Sequence, residues 1–203
     1  KLNSLNELRK ETEANTTKEA LACGSDSDNV IVVAKKDWHE GVVGIVAARL
    51  VDHFLKPAIV LSIENGVAKG SARSIGNVSI YELIKANESY LTKFGGHKMA
   101  AGLSLNEENL EAFGNRINEY ALKNLDSVDL TPSLLIDCNV PIASLNIDLV
   151  DTIDSLEPYG EGNRPPIFCS TNLTVKNRPV VFAKETLKFW VSDGNVSISV
   201  VGF

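Results

Sequence analysis

Apolar runs and polar breaks divide the chain into successive units. Residues 1–22, KLNSLNELRKETEANTTKEALA, carry Leu2, Leu5 and Leu8 in an otherwise polar stretch, which predicts a helix that needs a partner surface. CGSDSDN at 23–29 reads as a turn or loop, and the apolar run from Val30 to Ala34 predicts a strand buried on both faces. In DWHEGVVGIVAARLVDHFLKP, residues Val42, Val43, Ile45, Val46, Leu50, Val51, Phe54 and Leu55 recur at helical spacing, with Pro57 as the stop. AIVLSI at 58–63 is a second buried strand, and Glu64-Asn65-Gly66 turns the chain into a third, VAKGSAR. Strand, helix, strand in that order predicts a parallel pair with the helix as crossover. A further helix is predicted over 79–91. FGGHKMAAGLSL then reads as loop plus strand, and Asn106 as the cap of a long helix, EENLEAFGNRINEYALKN.

At 125–133, LDSVDLTPS breaks the pattern with polar residues and Pro132, which sets a domain boundary. Beyond it the strands shorten to LLIDCNV, LTVKNRPVVF, LKFWV and VSISVVGF, with one helix over about 142–156 and the turn-rich EPYGEGNRPP. Ser192-Asp193-Gly194-Asn195 between two alternating runs is a hairpin signal. Short strands around one helix predict a small Greek-key barrel of OB type. The expected organisation is therefore a connector helix at 1–22, an α/β domain at 23–125 with a mainly parallel or mixed sheet, and an OB-like β-barrel at 126–203. A first residue that is Lys1, and an apolar strand running up to Gly202-Phe203, predict a segment of a longer protein whose barrel is cut short.

Composition narrows the classes. With 44% hydrophobic and 23% charged residues over 203 positions, wholesale disorder is excluded. No apolar run approaches the roughly 18–20 residues that span a bilayer, so no membrane partner is expected. The net charge of −6 argues against a basic coat protein, yet charge is unevenly spread. Residues 1–125 carry 15 basic and 16 acidic side chains; residues 126–203 carry 5 and 10. All five of those bases, Arg164, Lys176, Arg178, Lys184 and Lys188, fall in 164–188 against the single acid Glu185. Cys23, Cys138 and Cys169 are too sparse for a disulfide framework or zinc cluster and suit free thiols in the cytoplasm.

Four stretches hold candidate chemistry. In Phe94-Gly95-Gly96-His97-Lys98 the glycines allow close backbone approach, and His97 and Lys98 can donate to an anion such as phosphate; turn formation is the competing role. In Gly70-Ser71-Ala72-Arg73-Ser74, small residues present an arginine between two hydroxyls, which suits phosphate; a solvated arginine at a strand end competes. Trp38-His39-Glu40-Gly41, with Gly44 one turn on, opens a helix whose N-terminus favours anions. Packing through the glycines competes there, His39 stays open, and His53 reads as structural. Finally, Phe168, Phe182, Phe189 and Trp190 interleave with the basic stretch, a pattern suited to backbone charge and base stacking in single strands. Filling the barrel core is the competing role for each ring. No HxH, HExxH or GxSxG pattern occurs, so neither a metal site nor a serine hydrolase is expected here.

WHEGVVGIVAARLV, KGSARS, KFGGHKMAAGLSL and PYGEGNRPPIF, in this order, resemble the C-terminal half of the bacterial RecJ single-strand-specific exonuclease family, within the DHH phosphoesterase superfamily. The resemblance runs from about residue 30 to the end. It implies a DHH-associated domain followed by an OB domain. It also implies 5′→3′ hydrolysis of single-stranded DNA in repair and recombination, with Mn²⁺ or Mg²⁺ held by a DHH domain joined in cis. None of that domain's Asp-His-His motifs is present here, so this segment is expected to hold no metal and to be inactive alone. By resemblance, Arg73 and Gly95-Gly96-His97 face the DNA phosphates, with Ser71, Lys98 and His39 as weaker members of the site. Single-stranded DNA is the expected partner, with a single-strand-binding protein or a helicase as further candidates. Two alternatives stay open: a phosphodiesterase for cyclic dinucleotides or short oligonucleotides, and a non-catalytic scaffold.

Overall fold

The computed structural model describes residues 2–125, 130–131, 133–182 and 186–202. Its contacts divide the chain into two units, Lys1–Ser133 and Leu134–Phe203.

The first unit opens on α1 (Leu2–Cys23), followed by β1 (Ile31–Lys36), α2 (Glu40–Phe54) and β2 (Ala58–Glu64). Ile31 to Lys36 pair in parallel with Ala58 to Ile63, so the predicted crossover is present. His39 caps α2, its Nδ1 accepting from the Gly41 amide at 2.9 Å. At the other end Leu55, in the left-handed region at φ 53°, stops the helix two residues before Pro57. Asn65 and Gly66, both at positive φ, form the two-residue turn from β2 into β3 (Val67–Arg73).

Of the two expected forms the sheet is the mixed one: β1–β2 is its parallel pair, and β3, β4 (Lys93–His97) and β5 (Ala100–Asn106) join antiparallel, in the order β1-β2-β3-β5-β4. The cause is local. Tight hairpins link β2 to β3 and β4 to β5, and a hairpin can only reverse direction. The FGGH segment, expected as a loop, is therefore the edge strand of the sheet. The helix expected over 79–91 is shorter, α3 (Ile80–Lys85) plus a 3₁₀ turn at Glu88–Tyr90. Buried Asn87 ends it by donating to the Leu83 carbonyl. Asn106 makes no side-chain cap; a 3₁₀ turn at Glu107–Asn109 leads into α4 (Leu110–Asn124).

The two faces of the sheet are packed differently. On one, Ile59, Leu61, Ala68, Ala72, Ala101, Leu103 and Leu105 meet Ile80, Leu83 and Ile84 of α3 and Phe113 and Ile117 of α4. On the other, only β1 and β2 contribute to the core: Ile31, Val33, Ala58 and Val60 pack against Val42, Val43, Val46, Ala47 and Leu50 of α2 and Ala20 of α1. The Glu19 carboxylate ties these helices to the sheet, accepting from Trp38 Nε1 at 2.8 Å and Lys35 Nζ at 2.9 Å. Those two bonds, Trp38's first, hold its pKa below the ordinary glutamate range.

The second unit contains β6 (Cys138–Asn139) and β7 (Phe168–Cys169), which pair in parallel, and α5 (Ile147–Asp154), capped by Asn146 after a 3₁₀ turn at Ile142–Ser144. The expected strand LLIDCNV is thus reduced to two residues, and the expected helix begins later and ends earlier. LTVKNRPVVF, expected as one strand, is two: β8 (Thr174–Val175) and β9 (Val180–Phe182). Asn177 interrupts it by accepting the Trp190 amide on its side chain, and Pro179 offers no N–H. Both strands pair antiparallel with β10 (Thr186–Ser192), whose other edge pairs with β11 (Ser197–Gly202) through the expected Asp193-Gly194 hairpin. Asp193 receives the amides of Val196 and Asn195, which lowers its pKa and fixes the turn.

Candidate functional site

Alternation along three strands builds one surface. Lys69, Ser71 and Arg73 on β3, Ala100, Gly102 and Ser104 on β5, and Lys93, Gly95 and His97 on β4 share the sheet face that carries α2. Yet α2 lies over β2 and β3, with Gly44 against Ser71 and Arg73, so the β5 and β4 part of the face is the open one. Register sorts its residues into rows: Arg73–Ala100–His97, then Ser71–Gly102–Gly95, then Lys69–Ser104–Lys93. Cationic side chains line both margins, and the floor between them is glycine, alanine and serine. Gly95, Gly102 and His97 are exposed.

The glycines separate into structural and open positions. A Cβ on Gly70 would lie 1.9 Å from the Val60 carbonyl oxygen, so β2 and β3 require a glycine there. Gly96 turns toward the packed face, where a Cβ would come within 2.4 Å of the Ala100 oxygen. At Gly44 a Cβ would stand 3.1 Å from the Arg73 guanidinium and 3.3 Å from the Ser71 hydroxyl, so this helix glycine makes room for both. Gly95 is different, because a Cβ there would meet nothing within 4 Å. Neither its packing nor a positive φ demands glycine, which leaves room above the floor for something outside the chain.

Arg73 borders the trough beside α2. It donates from Nη1 to Ser71 Oγ at 2.7 Å and to the Ala72 carbonyl at 3.0 Å, which holds the guanidinium along the margin. Glu40, Gly44, Lys69, Ser71 and Arg73 line a groove of about 310 Å³ at this margin, where Lys69 pairs with Glu40 at 2.6 Å. The sequence-predicted residues Ser71, Arg73, Gly95 and His97 thus come together. Gly96 supports them from the opposite face, and Lys98 sits in the exposed β4–β5 turn. His39 stands apart: it caps α2 and borders Leu5, Leu8 and Val42, on the α1 side. Ser74 is buried and donates to the Val78 carbonyl. Lys69, Lys93 and Gly102 escaped the sequence reading. Their signal was the period of two in VAKGSAR, KFGGH and AAGLS, hidden while KFGGH was read as a loop.

In the second unit the outward face of β10 carries Lys188 and Trp190 two residues apart. Lys176 lies opposite Trp190, donating its amide to the Trp190 carbonyl at 2.8 Å, and Phe182 and Val180 lie opposite Thr186 and Lys188. Trp190 is 46% and Phe182 47% exposed, and Phe168 and Phe189 are half-buried, so none of the four rings is a buried core residue. Arg178 is exposed between β8 and β9. Arg164 is engaged elsewhere, paired with Asp137 at 3.0 Å. The Ile167 amide, and after it Arg164, hold the Asp137 pKa below its ordinary value. Lys184 lies outside the described residues.

Residues 27–123 match the DHHA1 domain, and residues 136–203 match the RecJ OB domain. The single-stranded-DNA-specific exonuclease RecJ of Bacillus subtilis is 35% identical over 209 residues, covering 100% of this chain and 26% of the relative. The chain belongs to the RecJ family. The RecJ exonuclease of Haemophilus influenzae is 31% identical over 216 residues, covering 100% of this chain and 38% of the relative. The crystal structure of RecJ in complex with Mn²⁺ from Thermus thermophilus superposes with a TM-score of 0.80 at 27% identity, covering 99% of this chain and 29% of that one. The chain therefore spans between 26% and 38% of the length of these two curated RecJ relatives. Among its described residues no group of three or more His, Cys, Asp or Glu side chains could hold a metal ion, so the donors present do not fit the Mn²⁺ of that RecJ structure. Nor is any described helix long and apolar enough to cross a membrane.

Proposed function

We propose that this chain is the substrate-gripping part of a 5′→3′ single-stranded-DNA exonuclease of repair and recombination. Its divisions would be the connector helix 1–22, the DHH-associated domain 23–125 and the OB-like domain 126–203. The observation that carries the reading is the open trough on the first unit: Arg73 and His97 face each other across a floor that stays unfilled at Gly95. Such a surface offers charge and hydroxyls to phosphates and no shaped pocket for a base, which suits a backbone of any sequence. On the second unit, Lys176 and Lys188 around exposed Trp190 suit the combination of backbone charge and base stacking that holds single strands. A DHH domain in cis would supply the Mn²⁺ or Mg²⁺ and the hydrolysis, in the cytoplasm, on a strand delivered with a single-strand-binding protein or helicase. A cyclic-dinucleotide phosphodiesterase would leave the second surface without a task, which favours the exonuclease reading.

The test is binding of fluorescent dT12 and of a matched duplex as salt is raised. Single strand should bind more tightly than duplex, with log affinity falling linearly against log salt by about 0.7 for each phosphate contacted. Lys176→Ala with Arg178→Ala should therefore reduce the slope by about 1.4. Binding that is flat with salt, or a slope unchanged in the double variant, would remove this surface from the interface.

A further inference from the structure

The trough has a third row that the proposed phosphate contacts do not use. Lys69, Ser104 and Lys93 face one another across β3, β5 and β4, two residues along from Ser71–Gly102–Gly95 and four from Arg73–Ala100–His97. Two residues of strand advance about 6.7 Å. An extended nucleotide backbone covers a similar distance from one phosphate to the next, through six covalent bonds. A strand lying along the trough can therefore set one phosphate in each row. The first meets Arg73 and His97, and the second meets the Ser71 hydroxyl above the bare floor. The third meets the lysine row.

Within that row the two lysines differ. Lys69 is already held by Glu40 at 2.6 Å, whereas Lys93 is exposed and has no carboxylate partner among the described residues. Ser104 between them is half-buried, and its carbonyl is occupied by the Thr92 amide and hydroxyl, so its hydroxyl and Lys93 are what the row presents to a ligand. Lys93, Phe94, Gly95, Gly102 and Ser104 also line a groove of about 320 Å³ that continues the trough along β4.

We infer that Lys93 is a length-determining residue, the grip for a third consecutive phosphate, so that this face holds a strand fully only when three phosphates are present. The inference rests on the reading of the trough as a phosphate surface, and one titration separates the two. The ¹⁵N-labelled chain would be titrated with the 5′-phosphorylated thymidylates pT, pTpT, pTpTpT and pTpTpTpT, with affinity read at the Gly95 and Gly102 amides. In the parent, affinity should rise at each added phosphate up to the third and level off at the fourth. Lys93→Ala should bind pT and pTpT as the parent does, lose about fivefold on pTpTpT, and lower the salt slope for pTpTpT by about 0.7. Lys93→Arg should restore both. Parent-like binding of pTpTpT by Lys93→Ala, or an equal loss on pTpT and pTpTpT, would overturn the inference and leave the trough reading standing. Amides at Gly95 and Gly102 that respond to none of the four would overturn both.

Discussion

Alanine at Gly96 should cost the first unit about 3 kcal/mol or more of stability and release β4 from the sheet. Gly96 has φ +153°, where side chains are strained, and an added Cβ would lie 2.4 Å from the Ala100 oxygen and 2.5 Å from the Ala101 Cα. Both are backbone atoms, so no rotamer relieves the clash. β5 cannot retreat, because its other edge is paired with β3 along all of Val67–Arg73. The strand that can move is β4, at the sheet edge, and its departure uncovers Leu103 and Phe94 on the packed face. Urea unfolding followed by circular dichroism is the check. A midpoint within error of the parent would show that the edge accommodates a side chain and that the glycine is not structural.

Arg73→Ala should do the reverse, leaving the melt nearly in place and removing much of the binding. Among the described residues its guanidinium bonds to Ser71 and its neighbour's carbonyl; it lies half-buried at the trough margin and fills no core position. The stability cost should stay within about 1 kcal/mol. A charge-assisted phosphate contact contributes roughly 1.5–3 kcal/mol, so single-strand affinity in the chain, and exonuclease rate in a full-length RecJ carrying it, should fall on the order of ten- to a hundredfold. His97→Ala should follow the same pattern from the opposite margin. Thermal melting beside binding separates the outcomes. A variant that melts well below the parent makes Arg73 structural, and one that melts and binds as the parent does takes it out of the site.

AIVLSI was legible because a run buried on both faces fits only inside a sheet, and β2 lies between β1 and β3. Val30–Ala34 was read the same way, yet β1 is an edge strand whose Val32 and Ala34 stay half-buried. The two runs with the amphipathic stretch between them still announced the parallel crossover, and DG announced the last hairpin. Legibility failed where glycine carries two meanings. Gly95-Gly96 reads locally as a loop, yet Gly96 is there because β5 passes beneath it, a contact invisible until the strands are paired. The same mistake hid Lys93, whose partners across the row are on other strands. In the second unit, LTVKNRPVVF looked continuous because the interruption is made at Asn177 by a side-chain bond to Trp190, thirteen residues away. The candidate residues themselves fared according to their neighbours. Arg73 and His97 meet because register sets them in one row, whereas His39, adjacent to an equally glycine-rich turn, is taken up in capping α2.

The central claim is that the open half of the first sheet is a surface for a phosphodiester backbone, and Gly95 tests it most directly. Valine favours a strand, and a Cβ there meets nothing within 4 Å, so Gly95→Val should unfold at the parent's urea concentration. Its side chain would nonetheless stand in the middle of the trough. Titration with pTpTpT, observed at the Gly102 amide, should show at least about a tenfold loss of affinity in Gly95→Val. Parent-like affinity in a variant that unfolds like the parent would contradict the account.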